Sequence, residues 1–133
     1  MRRAPRLVPT MTTNCLCDTG KPYDNCCGRW HAGRPAPTAV ALMRSRYTAF
    51  ALENADYLLA TWHPAHRPAR IDFEPGAKWL GLEVRMHHDT GADTAEVEFV
   101  ARHRTGGRAV RLHERSQFER LAQGWVYVHG EIL

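Results

Sequence analysis

The apolar positions follow helical spacing from Thr38 to Thr61 and alternate with polar positions from Lys78 onward. Thr38 can cap a first helix that ends near Leu52, and Asn54 can cap a second, shorter helix. The apolar face of the first helix consists of Ala39, Leu42, Met43, Tyr47 and Phe50. The pattern therefore places two helices ahead of a region of strands.

Four alternating runs follow, and each predicts a strand with one buried face. The inward positions of the first three runs are Leu80, Leu82, Val84, Met86; Ala95, Val97, Phe99, Ala101; and Val110, Leu112, Glu114, Ser116, Phe118. The last run is 125–129, and turn-forming residues such as Gly106-Gly107 separate the runs, as in hairpins. The expected fold class is α+β, with helices packed on one face of a four-stranded antiparallel sheet.

All four cysteines lie in one short stretch ahead of the first helix. Cys15 and Cys17 are one residue apart, and Cys26 and Cys27 are adjacent. A disulfide within either pair would be strained, whereas two disulfides between the pairs, or free thiols, remain open. We favour a tetrahedral metal ion bound by four thiolates, because turn-forming residues between the pairs can bring them face to face. His31 could replace one of the sulfur ligands.

The cysteine stretch resembles the SEC-C motif, a small zinc-binding module. That motif runs Cys-Pro-Cys-Gly-Ser-Gly-Lys-x-Tyr-x-x-Cys, followed by Cys or His and then Gly. The matching residues are Cys15, Cys17, Gly20, Lys21, Tyr23, Cys26, Cys27 and Gly28. Leu16, Asp18 and Thr19 replace the usual Pro, Gly and Ser, which alters the loop but not the number of ligands. The resemblance implies Zn²⁺ at the cysteines and, as in the SecA translocation ATPase, a protein or ribosomal partner.

The rest of the chain resembles a nuclear transport factor 2-like domain, a curled sheet that wraps a long helix into a cone. With the cysteine motif, it is similar to the YchJ-like family of bacterial SEC-C proteins. The segments that carry this resemblance include Leu42-Met43-Arg44-Ser45-Arg46-Tyr47-Thr48-Ala49-Phe50, Thr61-Trp62-His63-Pro64, Trp79-Leu80-Gly81-Leu82, His113-Glu114-Arg115-Ser116-Gln117-Phe118 and Trp125-Val126-Tyr127-Val128. The resemblance implies a curved, cystatin-like sheet with a small zinc knuckle in front of it.

Four segments are expected along the chain. Residues 1–14 should form a disordered basic tail and residues 15–33 the zinc-binding module. The prolines in 34–37 suit a short, stiff linker. Residues 38–133 should form the nuclear transport factor 2-like domain.

Composition and charge narrow the function classes. With 133 residues, 44% hydrophobic and 24% charged, the chain fits one globular domain with a small appendage. The formal charge of +4 comes mainly from arginine, and acidic residues are scattered among the arginines, which favours a mixed solvated surface. The alternative is binding of RNA or DNA through arginines around the knuckle, such as Arg29, Arg34, Arg44 and Arg46.

The sequence contains no apolar stretch that approaches the length of a membrane span. Its clustered thiols without a secretion signal predict a cytoplasmic protein, because metal binding is the usual use of such thiols there. Membrane partners are therefore not expected.

Three polar side chains could give the cone a small-molecule site. Glu114 alternates in register with Leu112 and Phe118 on the expected buried face, where an unpaired carboxylate is costly. We favour a bulge that turns Glu114 outward, or a neighbouring arginine that neutralises it. His63 could act as a general base, although such a histidine more often bonds the last carbonyls of its helix. Tyr47 completes the set for this alternative function, ligand binding or acid–base catalysis.

The favoured function is a zinc-binding cytoplasmic adaptor rather than an enzyme, with the knuckle as the surface for a protein or ribosomal partner. Structural zinc sites in small modules contribute on the order of 10 kcal/mol. Chelation is therefore expected to unfold residues 15–31 and to leave the cone folded, whereas loss of the whole fold would indicate a shared core. A homodimer through the outer face of the sheet remains open.

Overall fold

The structure is a computed structural model that describes residues 13–133, and the predicted order of helices before strands is confirmed. A single 3₁₀ turn, Tyr23–Asn25, leads into the first of three helices. The helices are α1 Cys27–His31, α2 Ala39–Ala51 and α3 Ala55–Ala60. The strands are β1 Lys78–Asp89, β2 Thr94–Thr105, β3 Arg108–Leu121 and β4 Gly124–Ile132. None of the helices in residues 13–133 is long and apolar enough to span a bilayer.

Side-chain caps fix the starts of the two larger helices. The Thr38 hydroxyl accepts a hydrogen bond from the Ala41 amide at 3.0 Å, and Asn54 Oδ1 accepts one from the Tyr57 amide at 3.1 Å. Each cap satisfies an amide that has no partner inside its helix. Both predicted starts are confirmed, and α3 ends at Ala60.

The strands form an antiparallel meander in the order β1-β2-β3-β4. Gly106 and Gly107 turn the chain between β2 and β3 with φ values of +59° and +78°. Such angles suit the two-residue hairpin turn that glycine permits. Helix α2 packs against β1, β2 and β4. The β2 side chains Ala95, Val97, Phe99 and Ala101 are buried, as their alternation predicts.

One inward position of β1 differs from the expectation. The pairing of β1 with β2 is irregular between Trp79 and Gly81, which leaves Leu80 48% exposed. Trp79 turns inward instead, and its ring meets the Tyr47 ring edge-on with 5.6 Å between centroids. The irregular pairing turns Trp79, and not Leu80, toward the core. Strict alternation of inward and outward residues does not predict this change.

The cysteine stretch packs into the main core instead of standing apart from it. The buried cysteines belong to the same hydrophobic cluster as Leu42, Met43 and Tyr47 of α2, and Ala36 of the expected linker joins them. The expected tail lies outside the described residues except at its last two positions. There Thr13 accepts a hydrogen bond from the Tyr23 amide at 2.8 Å, and residue 14 bridges to residue 22.

Candidate functional site

The four cysteines bring their sulfur atoms together at the centre of the N-terminal segment. All four Sγ atoms lie within 4.8 Å of one another, and those of Cys17 and Cys26 are 3.5 Å apart. A regular tetrahedron with metal–sulfur distances of about 2.3 Å has edges of about 3.8 Å. The cysteines form no disulfide and each is buried. The arrangement therefore fits a tetrahedral metal ion with four sulfur ligands.

Asp18 holds the first ligand loop in place despite departing from the motif's glycine. Its φ of +66° is a left-handed conformation that aspartate tolerates better than most residues. Its carboxylate accepts a hydrogen bond from the Leu82 amide of β1 at 3.0 Å. The substitution therefore keeps the loop conformation and adds a bond between the metal loop and the sheet.

Gly28 is required for the second cysteine pair. A Cβ at this position would overlap the carbonyl oxygen and the ring of Tyr23. The close approach lets the 3₁₀ turn fold directly onto α1, which carries Cys27. The motif residues Tyr23 and Gly28 therefore bring the 3₁₀ turn and α1 together.

Helix α2 contributes polar contacts around the sulfur atoms. The fully buried Thr48 hydroxyl donates to Cys27 Sγ at 3.4 Å and lies 3.7 Å from Cys15 Sγ. Arg44 Nη1 donates to the Cys17 carbonyl at 2.7 Å. Donors of this kind orient the ligands and offset thiolate charge. The sequence pattern alone did not identify Thr48. The signal that could have done so is a small polar residue between apolar positions of α2.

Hydrogen bonds among the thiols shift the pKa values of the cysteines in different directions. Bonds from Cys17 and Cys27 stabilise the Cys15 thiolate and hold the pKa of Cys15 far below its ordinary value. The bond with Cys15 raises the pKa of Cys17 to about 11, and the pKa of Cys27 is also raised by its bonds with the other two thiols. A metal ion would replace this proton sharing, because metal-bound cysteines are thiolates.

Both ring nitrogens of His31 form hydrogen bonds with groups other than the cysteines, so neither nitrogen is free to bind a metal ion. Nε2 lies 2.8 Å from the Ser45 carbonyl oxygen, and Nδ1 lies 2.7 Å from the Tyr23 hydroxyl. A carbonyl only accepts, so Nε2 carries the proton and Nδ1 accepts from Tyr23. Burial lowers the pKa of His31, which favours this neutral form. The geometry favours Cys27 over His31 as the fourth ligand.

We expect the variant His31→Ala to retain one metal ion per chain, because His31 supplies no free ring nitrogen to the site. Loss of its buried hydrogen bonds should reduce the free energy of unfolding by about 1–3 kcal/mol. The matched variant Cys27→Ala should lose bound metal. Metal analysis per chain and the absorption spectrum of the cobalt(II)-substituted protein measure the two effects. Metal lost from His31→Ala and retained by Cys27→Ala would make His31 the ligand.

A second site is a cavity of about 230 Å³ between α2 and the inner face of the sheet. Its walls are mostly aromatic and aliphatic. The lining residues are Met43, Arg46, Tyr47, Phe50, Trp62, Trp79, Phe99, Ala101, Leu112, Glu114, Ser116, Phe118 and Tyr127. Few polar groups reach this cavity, so each of them matters for what it can bind.

Glu114 lines the cavity, so the favoured expectation of an outward orientation is wrong. The β2–β3 pairing is regular around it. Its Oε2 accepts a hydrogen bond from Ser116 at 2.6 Å and lies 3.4 Å from the Tyr127 hydroxyl. A Cβ at Gly130 on β4 would overlap this carboxylate, so the glycine leaves room for it. In the described part of the chain no arginine lies within ion-pair distance of Glu114.

The cavity brings Tyr47 together with Glu114 but does not include His63. Burial raises the pKa of Tyr47 to about 12, so its hydroxyl stays protonated at neutral pH. His63 Nδ1 accepts from the Ala65 amide at 3.0 Å, and its Nε2 lies 3.4 Å from a Glu119 carboxylate oxygen. His63 therefore does not join Tyr47 and Glu114 at this cavity.

The four arginines named for nucleic-acid binding do not form one surface. Arg46 is only 5% exposed, because it lies one turn after Leu42 on the buried side of α2. Arg44 is held by the Cys17 carbonyl. The Arg29 guanidinium lies over the Trp30 ring at 4.4 Å, and Arg34 alone is classed as exposed. Arg46 therefore cannot contribute to such a surface, because its side chain is buried and cannot reach a phosphate.

Comparison with known proteins identifies relatives over nearly the whole chain. Residues 38–130 match the family model described as the YchJ middle NTF2-like domain. A UPF0225 protein of Polaromonas naphthalenivorans is 56% identical, covering 91% of this chain and 98% of its own. A UPF0225 protein of Streptomyces coelicolor is 51% identical, covering 92% and 98%.

Two solved structures resemble the chain in fold and in motif. A SEC-C motif containing protein from Rhodopseudomonas palustris is 38% identical, with a TM-score of 0.81, and the match covers 90% of this chain and 98% of the other. A sec-c motif containing protein from Psychrobacter arcticus is 27% identical, with a TM-score of 0.77 and coverage of 92% and 84%. These matches extend across the cysteine stretch and the helix–sheet domain.

Proposed function

The chain belongs to the YchJ-like UPF0225 family of SEC-C motif proteins, and from this premise we propose that it is a cytoplasmic zinc-binding adaptor. One observation carries the proposal: four buried cysteine sulfur atoms lie within 4.8 Å of one another. Such closed four-sulfur sites suit structural zinc, whereas catalytic zinc keeps a position for water or substrate. Zinc in this role shapes a surface rather than performing a reaction.

The surface that the ion would shape is the outer side of α1 and the turn before it. Trp30 and Arg29 lie there, half-buried and stacked on one another. Lys21 and Asp24, which precede α1 in the chain, are exposed. Tryptophan and arginine are enriched among the residues that dominate binding energy at protein interfaces. This α1 surface is therefore the proposed contact for a protein or ribosomal partner.

Capture experiments with matched variants test this proposal. Metal-loaded protein, chelated protein and the variant Trp30→Ala would be incubated with purified ribosomes and with cytosolic lysate, and bound proteins identified by mass spectrometry. We expect one partner to bind the metal-loaded protein at least about tenfold better than Trp30→Ala, a typical hot-spot effect. Lys78→Ala on β1 is the control and should bind normally. A partner retained equally by all forms, or no partner, would contradict the adaptor function.

A further inference from the structure

The cavity between α2 and the sheet is lined by polar side chains whose hydrogen-bonding capacity the described residues do not fully use. The Trp62 indole Nε1 is fully buried and has no hydrogen-bond partner within residues 13–133. Among residues 13–133, Arg46 donates only through Nη1, to the Leu58 carbonyl at 2.8 Å and the Thr61 hydroxyl at 2.7 Å. Glu114 accepts only through Oε2, so its second oxygen is also free among the described residues. The free Glu114 oxygen and the remaining Arg46 N–H groups are therefore available to a ligand in the cavity.

Opposite charges on the two sides of the cavity restrict the charge of that ligand. The Arg46 guanidinium and the Glu114 carboxylate both line the cavity but do not form an ion pair. An anion would be repelled by Glu114 and a cation by Arg46. Either ion would also lose its hydration on entering an apolar site. An uncharged molecule avoids both penalties.

The walls and the volume restrict the ligand's shape. The aromatic residues that line the cavity are Tyr47, Phe50, Trp62, Trp79, Phe99, Phe118 and Tyr127. Aromatic faces favour contact with another ring. The volume of about 230 Å³ falls below the range of about 300–1,000 Å³ that is typical of pockets for drug-sized ligands. The ligand is therefore a small ring compound.

We propose that the cavity binds small, uncharged ring compounds whose hydroxyl group donates a hydrogen bond to Glu114 and accepts one from Arg46. A hydroxyl combines a donor and an acceptor on one atom, which matches a free carboxylate oxygen beside unpaired N–H groups. This site is separate from the metal centre and from the α1 surface. Its ligand chemistry goes beyond the adaptor function and does not depend on it.

Four naphthalene compounds of similar size test the proposal on the full-length, metal-loaded protein. They are 2-naphthol, naphthalene, 2-naphthoate and 2-naphthylmethylammonium, and nitrogen-15 NMR titration measures their dissociation constants. We expect 2-naphthol to bind at least about tenfold more tightly than the other three, because hydrogen bonds to charged groups are the stronger kind. Shifts should concentrate on amides of residues that line the cavity.

Two cavity variants and one control locate the site. Glu114→Gln keeps the shape of the side chain but removes its charge, and should weaken 2-naphthol about tenfold while leaving naphthalene unchanged. Ala101→Leu fills the cavity and should abolish binding of every probe. Glu83→Gln removes an exposed carboxylate on β1 that pairs with Arg85, and should have no effect. Metal content and the NMR spectrum of each variant verify that it is folded.

Several outcomes would overturn the proposal. If naphthalene binds as tightly as 2-naphthol, the polar atoms of the cavity contribute nothing to the affinity for the hydroxyl group. Stronger binding of either ion would contradict the charge argument. Unchanged 2-naphthol affinity in Glu114→Gln, or no binding of any probe at millimolar concentration, would remove the site. If Ala101→Leu does not fold, the Glu114→Gln result decides alone.

Discussion

Removal of the metal ion should destabilise the whole protein, because the cysteines are part of the main hydrophobic core. Structural zinc contributes on the order of 10 kcal/mol in small modules, which is comparable to the total stability of about 5–15 kcal/mol of a typical domain. Thr48 and Arg44 on α2 contact the ligand loops directly. The sequence alone predicts that only residues 15–31 unfold.

Hydrogen exchange before and after chelation measures how far this loss extends. We expect amides of α2, and of β1 near Leu82, to lose protection together with residues 15–31, since the Asp18 carboxylate binds the Leu82 amide. Treatment with a chelator already saturated with zinc is the control and should leave exchange unchanged. Full protection of α2 and β1 after chelation would show that the metal stabilises only its own segment.

Substitution of Arg46 by alanine should reduce the free energy of unfolding by about 3 kcal/mol, a large effect for one residue. Its guanidinium is buried and donates to the Leu58 carbonyl and to the Thr61 hydroxyl of the turn after α3. It also stacks against the rings of Trp62 at 5.0 Å and Tyr127 at 4.7 Å. Burial lowers the pKa of Arg46 to about 10, so it remains charged at neutral pH. Its removal leaves a cavity and unpaired acceptors.

Urea unfolding compares this variant with a matched surface control. Arg102→Ala removes an arginine of β2 that is half-exposed and pairs loosely with Glu83 at 3.8 Å. That change should alter stability by less than about 0.5 kcal/mol. Equal stability of the two variants would mean that the hydrogen bonds and ring contacts of Arg46 contribute nothing net.

Elements governed by local patterns were predictable from the sequence. Helical spacing after Thr38, alternation after Lys78 and hairpin residues between the runs predicted the order of helices and strands. The close spacing of the cysteine pairs indicated a shared metal site, and their sulfur atoms do converge. In each case the informative residues are neighbours in the chain, so periodicity and spacing were sufficient.

Features that depend on distant residues were not predictable. Glu114 faces inward because Ser116 and Tyr127 bind its carboxylate and because Gly130 on β4 has no side chain. Thr48 meets Cys27 only after α1 packs on α2. The burial of Arg46 likewise depends on acceptors in and after α3. Such contacts arise from tertiary packing, which the periodicity of apolar residues along the chain does not predict.

We expect Cys15, Cys17, Cys26 and Cys27 to hold one zinc ion together. Native mass spectrometry of protein purified without added metal tests it most directly, with a second spectrum recorded after chelation under reducing conditions. We expect one zinc per chain in the first spectrum and the fully reduced mass in the second. A metal-free chain lighter by the hydrogens of two disulfides, or a fully reduced chain that takes up no zinc, would contradict zinc binding by the four thiolates.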